Sequence, residues 1–205
     1  MLPPHLYAPI KPPLMGQAFR NINRLLNQSS SFHHNPHPSS VARPIIWTYL
    51  KNPVKYHNGY QFQNSLVQHK INHPNAPDWL ILLQHQPVYT TGRRQLSDDR
   101  LQLEQSRLAT VNPMADFYLT KRGGQTTYHG PGQLVAYPIL NLSLVNMDTR
   151  AYVDFLMTLL RQILVHPTLP KPIISLDPAQ DPELPVGIFI GSQWCKIASV
   201  GIQFK

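Results

Sequence analysis

Residues 121–141, KRGGQTTYHGPGQLVAYPILN, constrain this chain more than any other stretch. Gly123-Gly124 and Gly130-Pro131-Gly132 bracket a short polar run, Gln125-Thr126-Thr127-Tyr128-His129, and an apolar run over 134–140 follows at once. Glycine removes the Cβ that would keep a second backbone or a ligand away. Polar side chains held between glycines at strand ends are how a sheet presents a binding slot. Local pattern assigns 117–122 to a strand, Gly123-Gly124 to a turn, 125–129 to the returning strand and 134–140 to the next.

Around this stretch the chain alternates strands with a few helices. The run IIWTYL at 45–50 reads as a first strand. Residues 54–70 carry a helical pattern, with Tyr56, Tyr60, Leu66 and Val67 apolar and Gly59 weakening it. WLILL at 79–83 is a continuous apolar run of a buried strand, and 87–91 a short one ended by Gly92. Residues 98–109 read as a helix with two acids in its first turn, where the helix dipole favours them. Residues 149–164 give the clearest helix: Tyr152, Phe155, Leu156, Leu159, Leu160 and Ile163 fall 3, 4, 7, 8 and 11 places apart from the first, and Asp148 or Thr149 can cap it. Residues 166–185 form a Pro-laden loop. Strands at 188–190 and 193–198, joined across Gly191-Ser192, form a hairpin whose second arm runs on as SVGIQFK. The expected fold is α+β, a mixed or antiparallel sheet with flanking helices, in one domain over 45–205. Because 202–205 still alternates apolar and polar, that domain is expected to be cut short within a strand.

Charge is unevenly spread. The net charge is +8, yet residues 1–77 hold seven Lys and Arg and no acid, which leaves 11 basic and 10 acidic groups in the rest. The segment expected to fold is therefore nearly neutral, which argues against a nucleic-acid partner. An acid-free, Pro-, Ser- and His-rich segment over 1–44 reads as unfolded, with an amphipathic stretch over 17–27, and fits a mitochondrial transit peptide. No apolar run is long enough for a membrane span. The single cysteine, Cys195, excludes an internal disulfide framework and a Cys-cluster metal site.

The chemistry these residues allow is bounded. The glycine stretch is neither GxxxxGK[ST] nor GxGxxG, so it implies no nucleotide triphosphate. Arg122, Gln125, Thr126, Thr127, Tyr128 and His129 crowd the bends more than a structural turn requires. Lys196 beside Cys195 cannot easily activate that thiol, because neighbours on a strand point to opposite faces. Cys195 reads as a small buried hydrophobe, and Lys196, taken alone, as a solvent-facing lysine. His85 and His129 are isolated in sequence and give no zinc spacing; His129 reads as orienting a carbonyl or thioester, or as capping the strand.

At these residues a family resemblance enters. RGGQTTYHGPGQLVAYPILNL resembles the lipoyl(octanoyl) transferase signature RGGQxTYHGPGQLxxYPIxxL. Gln84-His85-Gln86-Pro87-Val88-Tyr89-Thr90-Thr91-Gly92-Arg93 is similar to the family's E-H-x-P-V-Y-T-x-G-R, with Gln84 in place of Glu. Residues 186–190 resemble its GVWV strand, and 196–201 its K-I-A-x-L-G. The resemblance implies the biotin/lipoate protein ligase catalytic-domain fold. It implies transfer of an octanoyl group, through a Cys thioester and without ATP or metal, from acyl carrier protein to a lysine. Acceptors would be the lipoyl domains of 2-oxoacid dehydrogenase E2 subunits and the glycine cleavage H protein, in the mitochondrial matrix. It implies that Arg122, Gly123, Gly124, Gln125, Thr126, Thr127, Tyr128 and His129, with Ser199, Val200 and Gly201, line the acyl pocket. Lys196 would lower the pKa of the acyl-accepting Cys. That Cys is expected downstream of K-I-A-S-V-G, so Cys195 does not match it, and residues 1–205 alone are expected not to transfer. The alternatives are an inactive remnant that binds an acyl chain or a lipoyl domain, and an ATP-dependent lipoate or biotin ligase.

Overall fold

A computed structural model of the chain describes residues 45–92, 97–122, 126–144, 147–164, 173–174, 187–190 and 195–203. The segment 1–44 and the residues where turns were expected, Gly123-Gly124 and Gly191-Ser192, lie outside the described residues. The described residues form two compact units, one of 45–141 with Gln203 and one spanning 142–202.

In the first unit, β1 (Ile45–Tyr49) lies parallel to β2 (Asp78–Leu83), and β6 (Val135–Ile139) completes the sheet antiparallel to β2. The central strand β2 is covered on both faces, which is why its sequence is continuously apolar rather than alternating. Ile81 and Leu83 are fully buried and form the core with Ile139, packed by Leu50, Leu66, Val67, Trp79, Val135 and Tyr137. Each such side chain taken from water is worth about 1.5–3 kcal/mol.

A second sheet has β3 (Val88–Gly92) at its centre, with β4 (Asp116–Thr120) parallel on one side and β5 (Thr127–His129) antiparallel on the other. The Gly123-Gly124 pattern suggested that 125–129 returns against 117–122. Instead β5 pairs with β3, Thr127 opposite Thr90 and His129 opposite Val88. With β4 running parallel to β3, the antiparallel partner of β5 is the central strand.

Helix α1 (Tyr56–Asn72) starts two residues later than the pattern suggested. Val54 is withheld from it by strand-like bonds: its N–H donates to Gln84 O (2.8 Å) and its carbonyl accepts from Gln86 N (3.0 Å). Gly59 does not break α1, and its missing Cβ leaves room for the His85 ring. Lys70 and Asp78, both nearly buried, form an ion pair at 2.6 Å between α1 and β2. Helix α2 (Asp98–Val111) carries Asp98 and Asp99 in its first turn, as expected.

In the second unit, α3 (Thr149–Leu164) has the bounds its apolar stripe implies, and Asp148 caps it by accepting from Ala151 N at 2.8 Å. Strands β7 (Ile173–Ile174), β8 (Ile188–Ile190) and β9 (Cys195–Ala198) form an antiparallel sheet in that order. β7 falls inside the stretch read as a Pro-laden loop. The arm expected to run on as SVGIQFK ends at Ala198, and 199–203 is not strand. β8 is three residues long and its last partner is Ala198, opposite Ile188, so beyond that point β9 has no ladder to join.

Candidate functional site

Two connectors meet where the sheets of the first unit join. Gln84–Pro87 leads from β2 into β3, and Gly130–Leu134 from β5 into β6. The second begins with a turn in which Gln133 N donates to Gly130 O (3.1 Å). Pro131 and Gly132 occupy its central places, and Gly132 has φ 92°, the combination a type II turn demands. Gly132 N in turn donates to Gln84 Oε1 (2.8 Å), tying the connectors together. The Gly-Pro-Gly bend is therefore structural, and it delivers His129 to the seam.

Strand parity sorts the side chains. Thr90 and Val88 of β3, Thr127 and His129 of β5, and Tyr118 of β4 share one face of the second sheet. On the other face Tyr89 packs on Tyr128, the rings tilted 55° with centres 5.2 Å apart, and Thr126 Oγ1 donates to Thr91 Oγ1 at 3.1 Å. The residues expected to line one pocket thus divide: Arg122, Thr127 and His129 belong with the first face, Thr126 and Tyr128 with the second. Gly123, Gly124 and Gln125 lie outside the described residues.

On the first face Arg122 reaches down onto Thr90, its Nη2 donating to Thr90 O (2.7 Å) and Thr90 Oγ1 (2.8 Å). Thr90 Oγ1 lies 3.3 Å from His129 Nε2, and His129 Nδ1 lies 2.5 Å from Gln133 Oε1. Beside them His85 is wholly buried, its Nδ1 donating to Val54 O (3.0 Å) and its Nε2 accepting from the Tyr137 hydroxyl (2.8 Å). His85 and His129 have ring centres 6.0 Å apart. Tyr56 packs on both His85 (5.3 Å) and Tyr118 (5.0 Å). The two histidines, isolated in sequence, are neighbours in space.

Burial sets the charge state of this cluster. Desolvation lowers the pKa of His85, and it lowers that of His129 with help from His85 and Arg122. Both imidazoles are therefore held neutral. Burial raises the Tyr137 and Tyr56 hydroxyls above the ordinary tyrosine value, so they remain donors. Arg122, a cation even with its pKa lowered by burial, supplies the positive charge of this face. A guanidinium and neutral imidazoles in partly dry surroundings suit a ligand that presents carbonyl oxygens, and suit an oxyanion that develops on one. Among the described residues no three His, Cys, Asp or Glu side chains gather into a metal site, and no helix is long and apolar enough to cross a membrane.

Lys196, Ser199, Val200 and Gly201 belong to the second unit. Lys196 lies opposite Phe189 on the hairpin, its Nζ 5.4 Å from the centre of that ring. Its stem crosses Gly187 closely enough that a Cβ there would stand 2.6 Å from Lys196 Cε. The side chain is exposed overall, but this packing desolvates the ammonium enough to lower its pKa. Ser199 and Gly201 are exposed and Val200 half-buried, in irregular chain after β9.

Sequence reading overlooked His85, Thr90 and Tyr137 as members of the cluster. The signal for Thr90 was its parity with Val88 on a strand bearing polar residues in a buried run.

Comparison with known proteins fits this arrangement. The family model of the lipoyl protein ligase A/B catalytic domain matches residues 55–172. The chain belongs to this family. The match covers α1 to β6 of the first unit, leaving out β1, together with α3, and the expected α+β class and ligase-like fold hold. The chain is 44% identical over 115 residues to the Danio rerio octanoyl-acyl-carrier-protein:protein N-octanoyltransferase LIPT2, mitochondrial, covering 56% of this chain and 50% of that protein. It is 39% identical over 112 residues to an octanoyltransferase of Gloeobacter violaceus, covering 54% of this chain and 46% of that protein. It is 31% identical over 152 residues to the Arabidopsis thaliana octanoyltransferase LIP2, mitochondrial, covering 74% of this chain and 59% of that protein. The chain therefore spans about half the length of the curated relatives it matches. Their names agree with the octanoyltransferase resemblance carried by RGGQTTYHGPGQ.

Proposed function

We propose that this chain carries the acyl-binding part of an octanoyltransferase. The protein takes an octanoyl group from acyl carrier protein and passes it to a lysine of lipoyl domains, including those of 2-oxoacid dehydrogenase E2 subunits and the glycine cleavage H protein. The observation that carries this reading is the Arg122–Thr90–His129 chain of hydrogen bonds on one sheet face, in a member of a family whose named relatives here are octanoyltransferases. In the first step a Cys thiolate attacks the carrier thioester, the carbon–sulfur bond to the carrier breaks, and the carrier leaves as its thiol. In the second the neutral acceptor amine attacks the enzyme thioester, an amide forms, the enzyme thiol is released, and the amine gives up one proton. Donors on the Arg122 face stabilise the oxyanion of each tetrahedral intermediate. Lys196 lowers the pKa of the attacking thiol, which lies downstream of K-I-A-S-V-G and is not Cys195. The substrate is a thioester, so neither ATP nor a metal is required. The acid-free segment 1–44 and the mitochondrial names of two relatives support a matrix location. A cytosolic distribution of a reporter fused to residues 1–41 would overturn that part.

The test is intact-mass spectrometry of the protein and a lipoyl domain after incubation with octanoyl-acyl carrier protein. Octanoyl-amide on the lipoyl domain without ATP, with Cys195 unmodified, is expected from a form carrying the downstream Cys. Turnover through Cys195 would overturn the assignment of the nucleophile. Transfer from free octanoate that needs ATP would make the protein a ligase instead.

A further inference from the structure

We propose that Thr90 is a positioning residue that fixes the tautomer of His129, so that the imidazole presents its Nδ1–H at the exposed rim of the site. The inference rests on the acyl-transfer reading for its functional consequence, but its geometry stands apart from that reading.

The direction of the hydrogen-bond chain follows from the donor inventory. A guanidinium has only donors, so Arg122 Nη2 must give its hydrogens to Thr90 O and Thr90 Oγ1. Thr90 is 1% exposed, which leaves its hydroxyl little access to water. The hydroxyl owns one hydrogen, and the polar atom facing it is His129 Nε2 at 3.3 Å. Oγ1 thus accepts from Arg122 and donates to Nε2, which must be the unprotonated nitrogen. The imidazole hydrogen is then on Nδ1, where Gln133 Oε1 accepts it at 2.5 Å. Gln133 is consistent from its own side, since its Nε2 donates to Tyr128 O (3.3 Å) and so leaves Oε1 toward the ring.

The two partners of His129 are unequal. Thr90 is buried in the central strand of its sheet, whereas Gln133 is exposed on the turn. A hydrogen bond to an exposed amide competes with water, and one to a buried hydroxyl does not. Thr90 therefore holds the tautomer, and the carboxamide oxygen of Gln133 occupies the place that an incoming carbonyl oxygen takes up on Nδ1–H. Arg122 adds polarity to the chain through the Thr90 hydroxyl rather than by touching the ring.

The experiment is nitrogen-15 NMR of the full chain labelled at histidine, with the His129 resonances assigned by their loss in His129→Gln. Wild-type His129 should show a proton coupled to Nδ1 and a bare Nε2. An Nε2–H tautomer in the wild type would overturn the proposal before any variant is made. Thr90→Val, similar in shape but without the hydroxyl, should shift His129 toward the Nε2–H form. Thr90→Ser should restore it, and Gln133→Leu should leave it as in the wild type. A folded Thr90→Val protein with unchanged His129, or a shift caused by Gln133→Leu instead, would refute the assignment. Thr90→Ala provides the same comparison if the valine variant fails to fold. In the transfer assay Thr90→Val should lower kcat roughly 10-fold, a change of about 1.4 kcal/mol, with KM little altered and recovery in Thr90→Ser. The imidazole signals do not depend on transfer, so failure of the octanoyl-transfer reading and failure of the Thr90 assignment give different results.

Discussion

Gly59→Ala should destabilise the protein, although the same change in an open helix stabilises it. Gly59 is the fourth residue of α1, in its first turn, where alanine is favoured over glycine by up to about 0.8–1.0 kcal/mol. Against that, a Cβ at 59 would lie 2.9 Å from His85 Cε1 and 3.7 Å from both His85 Nδ1 and Leu83 Cδ2. Carbon atoms rest at about 3.5–4.0 Å, so the ring would have to withdraw by roughly 0.6 Å. It has nowhere to go. His85 is fully buried, and it is held at both ends by Val54 O at 3.0 Å and the Tyr137 hydroxyl at 2.8 Å. Overpacking of this kind costs about 1–3 kcal/mol, and loosening either bond adds about 1 kcal/mol. The steric cost outweighs the propensity gain, and the net loss should be about 1–3 kcal/mol. Urea unfolding followed by circular dichroism reads this as a lower midpoint at unchanged slope. The decisive control is the double-mutant cycle. In a His85→Ala background the space is open, and Gly59→Ala should become stabilising by up to about 1 kcal/mol. A Gly59→Ala protein more stable than its parent would refute the claim that the ring is immobile.

Other perturbations follow from the same contacts. Lys70→Met leaves the Asp78 carboxylate nearly buried without its 2.6 Å partner, for an expected loss of about 3–5 kcal/mol; Lys70→Met with Asp78→Leu should recover most of it in the same unfolding assay. Burial lowers the His85 pKa, so below the ordinary histidine value of about 6.5 the unfolded chain binds a proton that the folded chain does not. Stability should therefore be complete above that pH and fall as pH drops, by up to about 1.4 kcal/mol per pH unit from this residue until the folded ring itself protonates. His85→Gln should flatten that slope, and stability that holds or rises on acidification would contradict the sign. Gly187→Ala would put a Cβ 2.7 Å from the Ala198 carbonyl, which is backbone and cannot rotate away, as well as 2.6 Å from Lys196 Cε. The β8–β9 pairing should loosen, and amide exchange at Lys196 and Ala198 should quicken relative to that of α3.

What the sequence disclosed and what it hid differ in the range of the interactions involved. Helix 149–164 was legible to the residue because both determinants are local: an apolar stripe of helical period, and Asp148 placed to accept from Ala151 N. The buried strand 79–83 was legible because a strand covered on both faces must be apolar throughout. The pairing of β5 was not legible. Gly123-Gly124 is a sound turn signal, but a turn says only that the chain reverses, not which strand it then joins. His85 was harder still. The Q-H-Q-P-V-Y-T segment flags it only by resemblance; its role is set by Val54 and Tyr137, 31 and 52 residues away, and by the absence of a Cβ at Gly59. Within the physics of the chain itself, parity was the usable clue. If 88 and 90 share a face with 127 and 129 in an antiparallel pair, two adjacent buried threonines in β3 must point to opposite sides, and each needs a polar partner there. Thr91 finds Thr126, and Thr90 finds Arg122 and His129. The RGGQTTYH segment is therefore not a self-contained slot between glycine bends. Its side chains acquire their orientation from β3, so a substitution at Thr90, some thirty residues before RGGQTTYH, should alter the chemistry of that segment itself.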